Sequence, residues 1–195
     1  MSDPNTTATI PERPPLPNGE TDENPRGLSL RALVAEDFAT YDRSFFEPGF
    51  WAVLVHRFGN WRMGLRPRLL RHPFTLLYRM LALGVDWMWG INVPYTTKLG
   101  RRVRIWYHGG INLGARSIGD DVHIRPNTTM GIMSRHDQTA KPTIEDRCDI
   151  GAGACILGHL TVGHDTVVGA NSVVVKDVPP NSTVFGVPAR PVKLV

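Results

Sequence analysis

The stretch IWYHGG at 105–110 places one imidazole, His108, between two aromatic residues and two glycines, directly after the basic run GRRVR. Imidazole is the side chain whose ordinary pKa lies nearest neutrality, so it can take a proton from a hydroxyl and return it later. A second histidine, His136, lies in SRHDQ and is the competing candidate for such a base. His123, His159 and His164 invite a check for a metal centre. His159 and His164 are five residues apart, but they occupy different places in the repeat described below, and no third ligand is suitably placed, so no metal is expected. Cys148 and Cys155 have no cysteine-rich surroundings and read as small buried thiols of a reducing compartment.

The elements that must position these groups fall into three stretches. Residues 1–27 are rich in Pro, Asn, Thr and acidic side chains and poor in large apolar ones. Such a segment buries too little surface to offset its ordering entropy, and disorder is expected. It has neither the basic nor the apolar region of a secretory signal, and a cytoplasmic location is the default. The formal net charge is +4 among 195 residues, which suits anionic ligands. Basic and aromatic residues do not alternate as in a nucleic-acid module, so no nucleic-acid partner is expected.

Residues 28–92 carry a helical period. Leu28, Leu30, Leu33, Val34, Phe38 and Tyr41 begin one apolar face, and Trp51, Leu54, Val55, Phe58 and Trp61 repeat it. The stretch 72–90 is apolar nearly all round, but Arg79 and Asp86 interrupt it, so it is too short a run to span a bilayer. It reads as a helix packed on the main domain or on other subunits, with peripheral membrane association as the alternative.

Beyond 92 the period becomes six. Ile144, Ile150, Ile156, Val162, Val168 and Val174 recur without a miss, and four residues after successive aliphatics come Cys148, Ala154, Leu160, Thr166 and Ser172. A period of six is neither helical nor that of a hairpin; it is a hexapeptide repeat, in which short strands wind around a triangular prism. Upstream the pattern runs through Val93, Leu99, Ile105 and Ile111, slips by one residue to Ile118, and continues to Ile124 and Met130. Residues 131–143 break it and are expected to protrude as a loop. Stacked coils bury a core only with their neighbours, so 93–180 is predicted to be one solenoid. Counted from inward-facing Ile105, His108 is expected to face outward.

The segment from IGAGACILGHLTVG to FGVPAR, with GFWAVLVHRFGNW at 49–61 and NVPYTTKLGRRVRIWYHGG at 92–110, resembles the hexapeptide-repeat acyltransferases. Within them it is most similar to the serine acetyltransferases and their exopolysaccharide-acetylating relatives. The resemblance covers about 49–195 and implies an α+β chain: a left-handed parallel β-helix preceded by a helical segment, with 181–195 as a terminal segment near the cofactor. It implies acetyl-CoA as co-substrate, a homotrimer with sites between subunits, and His108 as general base. Asn92 matches the position of the family's aspartate that orients this histidine; its amide can accept the imidazole N–H but supplies no charge. Gly151, Ala152, Gly169 and Ala170 match the edge along which the pantetheine arm runs. Lys176, Arg190 and Lys193 are candidates for its phosphates.

Two departures bear on the acceptor. The family's aspartate before the histidine is Tyr107 here, and its loop Arg-His pair is Ala140-Lys141. Zwitterionic serine wants a partner for each charge, whereas Trp106 and Tyr107 offer flat faces suited to a sugar ring, and Lys141 in the loop is a further candidate for contact with the acceptor. Arg101, Arg102 and Arg104 could meet an acidic polymer or simply line a coil. The expectation is O-acetylation of a sugar or exopolysaccharide precursor, with serine O-acetylation as first alternative and a non-catalytic β-helix assembly protein as the alternative of another class.

Overall fold

The computed structural model describes residues 16–192 except Asn18. Lys193 and most of the predicted disordered tail therefore lie outside the described residues. The tail's described end rests on the helices: Glu23 N–H donates to Asn60 Oδ1 (3.2 Å) and Asn24 Nδ2 donates to the Arg57 carbonyl (3.0 Å).

Three helices follow. Helix α1 (Leu30–Thr40) starts after Ser29, whose hydroxyl accepts from Ala32 N–H and satisfies one orphan donor of the first turn. Leu28, expected on its apolar face, precedes the helix and stays exposed. Helix α2 (Pro48–Trp61) begins on proline, whose missing N–H costs nothing there. Its apolar side chains at 51, 54, 58 and 61 are only partly covered; the deepest face is Phe50, Val53, Arg57 and Asn60. The hydrophobic count pointed elsewhere because this face buries an arginine. Gly49 lets α2 approach the solenoid, since a β-carbon there would collide with the Ile105 carbonyl. Helix α3 (Arg71–Trp89) ends on Gly90, in the left-handed conformation at φ 65° that favours glycine.

The rest of the chain is a parallel β-helix with three faces of five, four and six short strands. The first face stacks Ile91–Asn92, Ile111–Leu113, Thr129–Gly131, Cys155–Leu157 and Val173–Val174. Ile144 pairs with Val162, Ile150 with Val168 and Ile156 with Val174, one turn of three hexapeptides apart. Their side chains fill the prism with 0–2 % exposure. The corner residues Cys148, Ala154, Leu160, Thr166 and Ser172 are equally buried. Three residues after the aliphatic, the turn passes through positive φ at Asp121, Asn127, Arg147, Gly153, Asp165 and Asn171. Residues between the Thr129–Gly131 and Thr143–Ile144 strands form an excursion from the prism.

The register needs one correction. Leu113, not Ile111, aligns with Met130. The chain therefore carries two extra residues between inward Ile105 and Leu113, and one fewer between Leu113 and Ile118. A count of sixes sees only the net shift of one. The extra residues let 106–110 swell out of the coil, and His108 lies there.

Helices and solenoid are joined by buried polar groups. Arg57 (0 % exposed) makes an ion pair with Asp37 (1 %) at 2.9 Å and donates to the carbonyls of Leu99 (2.8 Å) and Gly100 (2.5 Å). Tyr41 hydroxyl donates to the Val103 carbonyl and accepts from Ile105 N–H at 2.8 Å. Burial raises the Asp37 carboxyl against the pull of Arg57. His56 beside them is pushed down to about 3, first by burial and then by the Arg57 charge.

Candidate functional site

The swollen segment is held at both ends. Trp106 N–H donates to the Ile124 carbonyl on the next coil (2.8 Å), and Ile111 N–H donates to the Gly90 carbonyl (2.9 Å). In between, Gly109 N–H donates to the Trp89 carbonyl at the end of α3 (2.8 Å), and its own carbonyl accepts from Asn127 N–H (2.9 Å). Tyr107 takes a positive φ of 59°, which turns the chain so that His108 projects into solvent. The outward imidazole thus follows from a bulge stapled to a helix end and to two coils.

Asn92 is exposed on the first face and pairs in register with Asn112, one coil away. No hydrogen bond links its side chain to His108 among the described residues, so the orienting role assigned to it is not seen in a single chain. His136 is exposed in the 131–143 excursion, where its backbone N–H donates to Ser134 Oγ (3.3 Å). Lys141 lies in a different place: with Asn112, Gly114, Thr129, Gly131 and Gln138 it lines a groove of 380 Å³ between that excursion and the first face. His108 and His136 are not among the groove's lining residues. Asn112 and Gln138 escaped the sequence reading; the one-coil recurrence of Asn92 at Asn112 was the available signal.

The aromatic pair divides. Tyr107 is 65 % exposed. Trp106 is half-buried: the Arg104 guanidinium sits 4.1 Å above its ring and His123 meets it edge-on at 5.8 Å. Arg101, Arg102 and Arg104 are likewise committed. Arg101 and Arg102 clamp Glu36 of α1, Arg102 also holds Asp121, and Arg104 pairs with Asp42. These arginines hold Glu36 and Asp121 below the usual carboxylate range and tie α1 to the coils.

The predicted cofactor edge is also divided. Gly151 and Gly169 are buried, and their N–H groups are used by the carbonyls of Val168 and Val184. A β-carbon on Gly151 would meet Ala170 N at 2.5 Å, and one on Gly169 would fall inside the Phe185 ring. These two glycines allow the coils to stack closely, and their N–H groups are already in use. Ala152 is half-buried and Ala170 exposed, and neither backbone N–H donates to another described residue. Two donors on successive coils without a partner among the described residues fit an extended amide-bearing chain. Lys176 is exposed, and so is Arg190, on a strand pairing antiparallel with Thr183–Phe185. Among the described residues, no three His, Cys, Asp or Glu side chains are placed to hold a metal ion.

No protein-family model matches the sequence. The chain is 37 % identical over 147 residues to the serine acetyltransferase of Mycobacterium tuberculosis, covering 75 % of this chain and 61 % of that one. It is 32 % identical over 166 residues to the Helicobacter pylori serine acetyltransferase, covering 83 % of this chain and 93 % of the relative. The serine acetyltransferase of Brucella abortus in complex with coenzyme A superposes with a TM-score of 0.66 at 27 % identity, over 82 % of this chain and 66 % of that one. The prism is thus the left-handed parallel β-helix of these structures. With its helical preface and nearly the whole length of the Helicobacter relative matched, the chain belongs to the serine acetyltransferase family.

Proposed function

We propose that the protein is an acetyl-CoA-dependent O-acetyltransferase in which His108 takes the proton from the acceptor hydroxyl as its oxygen attacks the thioester carbonyl. The observation that carries this is the stapled, outward His108 in a chain whose relatives are named serine acetyltransferases. A hydroxyl is a poor nucleophile at neutral pH, and a positioned imidazole contributes roughly 10²–10⁴-fold. As the tetrahedral intermediate collapses, the thiolate of coenzyme A leaves and takes up a proton, for which the imidazolium is the donor at hand. The free N–H groups of Ala152 and Ala170 are the donors proposed for the pantetheine amides. The site is proposed to be completed by a neighbouring subunit, in keeping with the exposure of His108 and with no hydrogen bond reaching its ring from the described residues.

L-serine is the acceptor favoured by the relatives, over the sugar or exopolysaccharide precursor expected from residue types alone. A neutral hydroxyl compound such as a sugar is kept as second reading for one reason: Tyr107 and Ala140 offer no charge where zwitterionic serine would need two. The test is thiol release from acetyl-CoA with L-serine and with a panel of sugars. His108→Ala should lower turnover with the true acceptor by about 10²-fold or more while leaving the melting temperature unchanged; unchanged turnover would sink the mechanism. Saturable turnover with a sugar and none with serine would overturn the serine reading. Binding of coenzyme A without transfer to any hydroxyl would favour a non-catalytic assembly protein.

A further inference from the structure

Helix α3 packs through Phe74, Tyr78, Ala82, Val85 and Trp89. On its opposite side Leu76, Met80, Leu83 and Trp87 recur at spacings of four, three and four, and are 63, 64, 49 and 83 % exposed. Leu77, Leu81 and Met88 widen this stripe, and exposed Leu69 and Leu70 extend it past the helix start. At 3.6 residues per turn, Arg79 and Asp86 fall along one margin and leave the stripe without a charge. Arg66 and Arg68 are exposed beside its N-terminal end, and Arg66, Arg68 and Arg79 form no ion pair among the described residues.

We infer that α3 docks in the headgroup region of an anionic lipid surface. An uncharged apolar stripe bordered by three arginines and one aspartate, net positive, complements a layer that is apolar beneath and negative at its rim. Trp87 is the amphipathic ring suited to that boundary. No helix among the described residues is long and apolar enough to cross a membrane, so α3 lies in the interface. The stripe's C-terminal end is bonded to the His108 segment through the Trp89 carbonyl, so a docked chain holds that segment beside the lipid. This inference stands whether or not His108 catalyses.

The full chain should float with vesicles of equimolar phosphatidylcholine and phosphatidylglycerol, and about a hundredfold less with phosphatidylcholine alone, given three arginines at the surface. High salt should weaken the binding. The triple variant Leu76→Glu, Met80→Glu, Leu83→Glu should abolish flotation with circular dichroism unchanged. A second variant, Arg66→Glu, Arg68→Glu, Arg79→Glu, should remove only the anionic preference. Absence of flotation, equal binding to neutral vesicles, or flotation surviving the first variant would overturn the proposal. So would a wild-type chain that fails to float and loses an oligomer in that variant, which would assign the stripe to a contact between copies. Thiol release by the same variants in vesicle-free solution keeps this outcome separate from that of the acetyl-transfer reading.

Discussion

Asp37→Ala tests the joint on which the helical layer hangs. Arg57 and Asp37 are 0 and 1 % exposed, and the carboxylate takes two N–H bonds from the guanidinium, at 2.9 and 3.3 Å. Removing it leaves a cation facing only the Leu99 and Gly100 carbonyls. An unpaired buried charge of this kind costs about 3–5 kcal/mol. In a chain of this size about 1 kcal/mol moves the melting temperature by roughly 2–4 °C, so a fall of about 10 °C is expected. The assay is urea unfolding followed by tryptophan fluorescence, since Trp51 and Trp61 lie on α2 itself. Asp37→Leu with Arg57→Met removes both charges and should recover about half of the loss, the rest reflecting two carbonyls left without donors. A loss below about 1 kcal/mol for Asp37→Ala would refute the reasoning, because it would mean that water reaches the guanidinium.

Other outcomes follow from neighbouring groups. His56 titrates near 3 when folded, below its unfolded value of 6.5. Its contribution is therefore present above pH 6.5 and is lost as pH falls toward 3, amounting to about 2 kcal/mol between pH 7 and 5. Urea titrations of wild type and His56→Gln should differ in slope over that window, and equal slopes would remove His56 as the cause. Tyr41→Phe leaves the Ile105 N–H buried without an acceptor and should cost about 1–3 kcal/mol in the same assay. Burial raises the Cys148 thiol to about 11, whereas Cys155 is half-exposed. A thiol reagent at neutral pH should modify Cys155 first and Cys148 only on unfolding, as read by mass spectrometry.

How much of this was legible beforehand differs by element. The solenoid was readable because each hexapeptide repeats one environment, an aliphatic inside and a small residue at the corner, and the pattern needs no distant information. The helices were readable as helices, but the working face of α2 was not. It buries Arg57, and only the carboxylate from α1 and the carbonyls of 99 and 100 make that burial tolerable. The arginines at 101, 102 and 104 looked available for a ligand because Glu36 and Asp42, some sixty residues earlier, are invisible to a local reading.

The candidate site divides along the same line. By itself the sequence determined the repeat and the placement of His108 outside the prism, because these are matters of residue type and spacing, while the departures at 107 and 140 were visible only against the family it resembles. Only the tertiary structure decided that 106–110 is a two-residue swelling rather than a slip. It also decided that Arg104 sits over Trp106, and that Lys141 faces a groove with Asn112 while His108 does not line it. Insertions that nearly cancel, and side chains whose partners lie one coil or one helix away, leave no trace in a count of sixes. They take shape only when Trp89 and Gly90 close on Gly109 and Ile111.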